Sequence, residues 1–410
     1  MDVISPAGLP DATLAFRRDP YRFISQHCDE TGGDAVRTRL MLAPTVCMRG
    51  PEAARLLYDE DLVTRDGAVP PRVAGVLFGK GGVQQLDGAP HRARKAMLLS
   101  LMTPDNMSAL VEKATASLLT DAEDWQRQES VEMLPALERS LTRATLDWCG
   151  VPLDDSDLDR TSADLTRLFS GAASVGPRYW HTARTRRRCD RWAARLVSDH
   201  RSGRRTAPPG TALAVIADWR DPQGAELPKE VAAVELLNII RPTVAVAVWW
   251  LFLLHALTVE GGRPADEAER RRYALEVRRL YPFFPVIGGV ARRDTRALGG
   301  EVRAGDRLLL EVQGTNRHRS AWAEADRFDP SRFDGRDPGP FDFVAQGGGD
   351  FGTGHRCAGE WIAERLMIAF LEIFTERLAW RGPDPPPELD TSRLPALPKG
   401  GLRLGDIRLH

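Results

Sequence analysis

The residues best able to do chemistry lie in one stretch near the C-terminus, FVAQGGGDFGTGHRCAGEW (343–361). Cys357 precedes AGEWIAERLMIAFLEIF, whose apolar spacing predicts a helix with Glu360 in its first turn. A cysteine at a helix N-terminus sits beside unpaired backbone N–H groups and the positive end of the helix dipole. That environment lowers the thiol pKa and favours thiolate, which is a nucleophile or a metal ligand. Gly347, Gly348, Gly349, Gly352, Gly354 and Gly359 would let the backbone run close to something flat and large. His355 and Arg356 flank the cysteine and could meet carboxylates. Thiolate, close backbone and cations together suit the face of a haem with its propionates. A buried cysteine in a glycine loop accounts for the same residues.

A second candidate lies in VAAVELLNIIRPTVAVAVWWLFLLHAL (231–257), where Arg241 is the only charge between Leu236 and Leu254. Pro242 follows it, and a proline inside a helix costs ~3 kcal/mol and kinks it. Burying an unpaired charge is costly, so the guanidinium snorkels to the surface, pairs with an acid elsewhere, or meets an anionic ligand. A carboxylate matches its fork. The basic run TARTRRRCDRW (182–192) is a solvated face or a device that steers an anionic substrate.

Long helical patterns must position these groups. They are expected at Pro90–Gln126, Ser130–Cys149, Asp155–Phe169, Thr185–His200, Pro228–Thr258, Ala265–Tyr281 and Ala358–Arg377. DAVRTRL and PTVCMRG predict a small hairpin, and EVRAGDRLLLEVQGTNR a strand, a turn and a strand. Turn formers mark breaks at 201–210 and 221–228. The expected architecture is mainly α with a minor β-sheet, as one continuous domain over residues 1–410. A net charge of -1 gives no electrostatic case for nucleic acid. Residues 1–16 show no basic, apolar leader, and Thr243–Leu254 is too short to span a bilayer, so no membrane anchor is expected. Five scattered cysteines without CxxC argue against a disulfide framework and for a reduced, cytoplasmic protein.

EVRR places Glu276 and Arg279 at i, i+3 on one helix face, and RFDPSRFDG later supplies Arg332. Followed by GHRCAGE, this ordered set resembles the cytochrome P450 superfamily across nearly the whole chain. The resemblance implies the P450 haem-thiolate fold and haem b, with Cys357 as axial ligand to the iron. It makes Glu276, Arg279 and Arg332 a structural ion-pair network. Two features depart from the usual pattern: Asp350 stands where a phenylalanine is common, and the glycine spacing differs. The central helix also carries Arg241-Pro242 in place of the acid–threonine pair that relays protons to dioxygen. These departures resemble the fatty-acid peroxygenase branch.

That branch implies hydroxylation of a long-chain fatty acid at the alpha or beta carbon, driven by hydrogen peroxide, with no redox partner. Arg241 would hold the substrate carboxylate, which then serves as general acid–base, with Pro242 beside it in the catalytic site. By the same matching Gln84 faces the carboxylate, and Phe78 and Phe284 line the pocket. Phe284 stands where smaller residues are often found. Arg65, His91, Lys95 and His355 would meet the haem propionates. Decarboxylation to a terminal alkene is a rival outcome. Decarboxylating members carry a histidine where this chain has Gln84, and an amide cannot titrate, so hydroxy acids are the expected product. A partner-fed monooxygenase and a non-catalytic haem-binding protein are the other readings.

Overall fold

The structure is a computed structural model that describes residues 2–3 and 11–410. Most of the leader region read in the sequence therefore lies outside the described residues. Helices dominate, and local chemistry sets their ends. The single helix expected over Pro90–Gln126 is two, Gly88–Leu99 and Pro104–Trp125. Thr103 caps the second by accepting from Asn106 N, and Pro104 occupies its first turn, where a missing N–H costs nothing. The segment expected to be helical from Ser130 begins as a strand, Ser130–Glu132, paired antiparallel with Arg403–Leu409, before the helix Met133–Trp148. The helix expected from Thr185 starts earlier, at Pro177, and runs to Arg201. Asp266 caps Glu267–Leu280 through Glu269 N. The helix after Cys357 begins at Glu360 and gives way at Ile373–Arg377 to a π-helical turn.

The main sheet has six strands in the order Asp2–Val3, Ala35–Leu40, Ala43–Met48, Arg307–Glu311, Val286–Ala291, Val63–Thr64. The expected hairpin is its second and third strands, with Ala35 opposite Met48 and Leu40 opposite Ala43. Thr295–Ala297 and Gly300–Val302 form a separate two-stranded ribbon. Arg307–Glu311 is the expected strand in EVRAGDRLLLEVQGTNR, but Val312–Asn316 then turns helical.

The core is built around the run Lys229–Val259, helical to Val244 and again from Val246. The break at Ala245 falls just after Pro242, as a proline in a helix leads one to expect. This run is long and apolar enough to cross a bilayer, unlike the shorter segment read from sequence, but 83% of its most apolar window is buried inside the protein. It serves here as a core helix.

Glu276 and Arg279 are fully buried and form a bidentate pair at 2.7 and 2.8 Å. Arg279 also donates to the carbonyls of Asn316, Ala325 and Arg327, so all five of its N–H groups are used. Arg332 Nε and Asp329 N both donate to Glu276 Oε1, at 3.1 and 2.8 Å. The network expected from motif spacing is thus complete in space. Glu276→Ala would leave two guanidiniums without their carboxylate. A loss of roughly 3–5 kcal/mol in denaturant unfolding is expected.

Glu138 is the opposite case. It is buried, and its Oε1 has no hydrogen-bond partner among the described residues. Burial pushes its carboxyl from the ordinary 4.5 up to about 8. The folded chain therefore holds a proton that the unfolded chain releases as pH rises from 4.5 to about 8. Its contribution to stability falls across that window. Glu138→Gln should shrink the stability difference between the two ends of the window, measured by denaturant midpoints. An unchanged difference would overturn the assignment.

Candidate active site

Between Ala232 and Leu257 every side chain is buried except Pro242. Pro242 is therefore the one exposed position on this stretch of the central helix. Arg241, its neighbour, is only 5% exposed. No carboxylate pairs with it among the described residues, and its Nε has no partner. Burial first, and then the charge of Arg186, hold the guanidinium down to about 9, so it is still a cation at neutral pH. Neither a surface position nor an internal acid accounts for Arg241. Thr243 turns its hydroxyl back to Ile239 O at 2.8 Å, so that donor is already used.

Gln84 is half-buried, and its Oε1 accepts from Asn238 Nδ2 at 3.3 Å. Asn238 lies one turn before Arg241 and also donates to Glu235 Oε2 at 3.1 Å. Arg94 Nη1 completes the chain by donating to Glu235 Oε1 at 2.6 Å. With its oxygen engaged, the Gln84 amide has its N–H groups free to donate elsewhere. Phe78 ends the helix Pro71–Leu77 and is half-buried. Phe284 is 43% exposed and packs edge-on against Phe283; Phe283 is the buried aromatic of that turn and stacks on Trp249 at 4.9 Å.

Cys357 is half-buried, whereas Cys28, Cys47, Cys149 and Cys189 are all buried in the core. Its N–H donates to Gln346 O at 3.0 Å, and Gln346 Nε2 approaches Sγ at 3.9 Å. The sequence led us to expect a depressed thiol pKa. It is raised instead, because burial outweighs the Gly359 N–H and the charges of Lys95 and Arg278. The helix itself begins three residues later, so its dipole reaches Cys357 only weakly. A bound cation is needed to hold this sulfur as thiolate.

Three of the glycines are required by the fold itself. Gly347 and Gly349 have φ of +94° and +77°, which side chains rarely adopt. A Cβ on Gly348 would sit 2.5 Å from Pro340 O, and one on Gly349 3.2 Å from the Tyr58 side chain. Gly348 and Gly349 thus let the loop run close to the protein's own backbone and Tyr58. At Gly359 a Cβ would lie 3.9 Å from Sγ, so that position alone faces the sulfur.

The helix Gly88–Leu99 joins the two halves of the site. Arg94 reaches the central helix, while Lys95 Nζ donates to Gly354 O and, at 2.6 Å, to Arg356 O in the cysteine loop. His91 stacks on His355 with centroids 3.9 Å apart. Burial, with neighbouring cations, pushes His91 down to about 4 and His355 to about 3. Both are therefore neutral at physiological pH, not the cations that the sequence implied. His91 Nδ1 and His355 Nε2 are buried without hydrogen-bond partners among the described residues, the latter 3.3 Å from Asp87 Oδ1. Glu60 joins them to bring three ligand-type atoms within 4.8 Å of one another. Arg65 is buried, donates to Gly288 O and Leu57 O, and lies over the Tyr58 ring at 4.7 Å. The expected propionate partners thus do converge, but Arg65 and Lys95 are engaged with backbone carbonyls.

A scan against family models matches cytochrome P450 over residues 275–403. Cytochrome P450SP alpha (CYP152B1), in a complex with (R)-ibuprophen, is 38% identical, with a TM-score of 0.94 over 98% of this chain and 99% of that one. The chain belongs to the cytochrome P450 family. Cytochrome P450EX alpha (CYP152N1) with myristic acid is 35% identical over 100% of this chain and 99% of that one, with a TM-score of 0.93. Cytochrome P450 OleT, ligand-free, is 29% identical over the same shares at a TM-score of 0.95. Putative cytochrome P450 138 of Mycobacterium tuberculosis is 24% identical over 87% of this chain and 85% of the relative. The protein is accordingly a haem-thiolate oxidoreductase of the P450 fold.

The residues present suit a haem. One cysteine stands outside the buried core, and the stacked imidazoles of His91 and His355, the first with an unpartnered Nδ1, lie next to Arg65 and Lys95. Sequence reasoning missed Asn238, Glu235 and Arg278. Arg278 is fully buried and donates to Glu360 at 2.8 Å and Glu364 at 3.2 Å, fixing the cysteine helix from beneath. Its signal was the neighbouring Arg279: two adjacent arginines on one helix point to different faces, and both had to be accounted for. Gly348→Ala tests the loop. The methyl meets a backbone oxygen that cannot step aside, so a loss of about 1–3 kcal/mol in stability and a lower haem content after purification are expected.

Proposed function

We propose that this P450 hydroxylates long-chain fatty acids at the alpha or beta carbon with hydrogen peroxide, acting as one domain over residues 1–410. One observation carries the reading: Arg241 is a buried cation with no acid of its own among the described residues, next to Pro242, the one exposed position on that stretch of the central helix. Two similar P450s are solved in complex with carboxylic acids, myristic acid and (R)-ibuprophen, which supports the same class of ligand here.

Cys357 would hold haem b through its thiolate, and the bound haem supplies the oxidising chemistry. Arg65, His91, Lys95 and His355 would surround the propionates, the two neutral imidazoles as N–H donors. Arg241 binds the substrate carboxylate through its planar fork and fixes its orientation. Held there, the carboxylate can accept and return a proton, the part that an acid–alcohol pair plays elsewhere in the family. Gln84, turned by Asn238, donates to the same carboxylate. Pro242, Phe78 and Phe284 line the acyl path. An anchored head group leaves the alpha and beta carbons as the reachable positions, and this positioning can supply several kcal/mol of the barrier. Hydrogen peroxide carries both oxidising equivalents, so no reductase is required.

Gln84 favours hydroxylation over decarboxylation to an alkene, because an amide beside the carboxylate donates a hydrogen bond but no proton. Gln84→His should divert part of the product to terminal alkene, read by gas chromatography. Mainly alkene from the unaltered protein with a tetradecanoic or hexadecanoic acid would overturn the argument from Gln84.

Arg241→Ala should retain haem and lose fatty-acid turnover with peroxide, by a factor corresponding to roughly 3–5 kcal/mol. Near-normal turnover would sink the mechanism. Activity that survives catalase and needs an electron-transfer chain would do the same for the peroxide dependence. Cys357→Ala should lose the thiolate band in the reduced carbonyl spectrum.

A further inference from the structure

The basic run at 182–192 is not wholly a solvated face. Thr182, Thr185, Arg186, Cys189 and Ala193 are buried along Pro177–Arg201, which packs on the central helix. Arg186 is 3% exposed. Its Nε donates to Asp190 Oδ1 at 2.8 Å and its Nη1 to Val76 O at 3.2 Å. Its Nη2 is buried with no hydrogen-bond partner among the described residues. Gly79, at φ +81°, makes room for it, since a Cβ there would overlap the Arg186 guanidinium and lie 2.8 Å from Val234 on the central helix. Val76 and Gly79 bracket Phe78. The guanidinium is thus wedged between the segment that carries Phe78 and the helix that carries Arg241.

Two like charges this deep are costly unless something negative joins them. Asp190 offsets Arg186 in part, but its side chain is 38% exposed and so partly screened by water. Arg241 has no such acid among the described residues, and it feels the Arg186 charge. An anion at Arg241 would be stabilised by both guanidiniums, a neutral head group by neither.

We propose that Arg186 is the second charge of the anion pocket, a specificity-determining residue that favours an ionised carboxylate over a neutral head group, with Asp190 setting how much of its charge the pocket feels. This rests on the reading of Arg241 as the carboxylate anchor. It makes the two members of one ion pair act in opposite directions on the same ligand. A salt bridge that only braced the fold would make both losses harmful.

The test is calorimetric titration of the haem-loaded protein with tetradecanoate and with tetradecanol, its neutral analogue. Arg186→Met should weaken tetradecanoate roughly tenfold and leave tetradecanol within about twofold. Arg186→Lys should restore most of the affinity. Asp190→Asn should bind tetradecanoate more tightly than the unaltered protein. Equal weakening of both ligands by Arg186→Met, or weaker tetradecanoate binding by Asp190→Asn, overturns the proposal. If Arg186→Met fails to fold by thermal melting, the sign of the Asp190→Asn effect decides alone. Arg241→Met separates the two readings: unchanged tetradecanoate binding in that variant removes the anchor itself, whereas its loss leaves the Arg186 and Asp190 results to be judged on their own.

Discussion

A buried positive charge on an apolar helix, with no negative partner among the described residues, is the constraint on which this site turns. Arg241 sits among buried side chains, and no described carboxylate meets it. Such an arrangement costs several kcal/mol in a protein interior. A fold of ordinary stability can carry that cost only if the surrounding elements cannot relax around it. Here they cannot. The helix is packed on all sides except at Pro242, and Thr243 and Asn238 are committed to their own hydrogen bonds.

Two buried networks give the rigidity. On the cysteine side, Glu276, Arg279 and Arg332 saturate one another and the carbonyls of 316–327, while Arg278 grips Glu360 and Glu364 at the start of the cysteine helix. On the opposite side, Arg94 meets Glu235 on the central helix. The helix Gly88–Leu99 links the two through consecutive residues, because Lys95 points to the cysteine loop. Displacing that helix would move the sulfur and Arg241 relative to each other. This is why charged residues that touch no reacting group are so prominent around the site.

The electrostatics of the cysteine side contrast with those of Arg241. Burial raises the Cys357 thiol and keeps His91 and His355 neutral. The protein alone does not make a thiolate or a row of cations there. It presents a sulfur that ionises against a metal and imidazoles that donate hydrogen bonds. A site read from residue types alone would carry more positive charge than the folded one does.

The sequence by itself determined the hairpin, most of the helices and the order of the charged motifs, because alternation, 3.6-residue periodicity and i, i+3 spacing are local properties. It also singled out Cys357 and Arg241, one by its glycines and the other by its isolation among apolar neighbours. The split at Pro104 is legible too, in Thr103 followed by proline, although the apolar periodicity runs on across it. Only the tertiary structure decided what each charge meets. Arg186 lies in a run of basic residues that spacing alone assigns to solvent, yet it is buried against Gly79. Asn238 and Gln84 are 154 residues apart in the chain and share a hydrogen bond. The glycines before Cys357 serve Tyr58 and Pro340, partners that no local pattern names. Whether a group is charged, neutral or unpaired depends on desolvation and on neighbours brought from distant segments, and those exist only once the chain is folded.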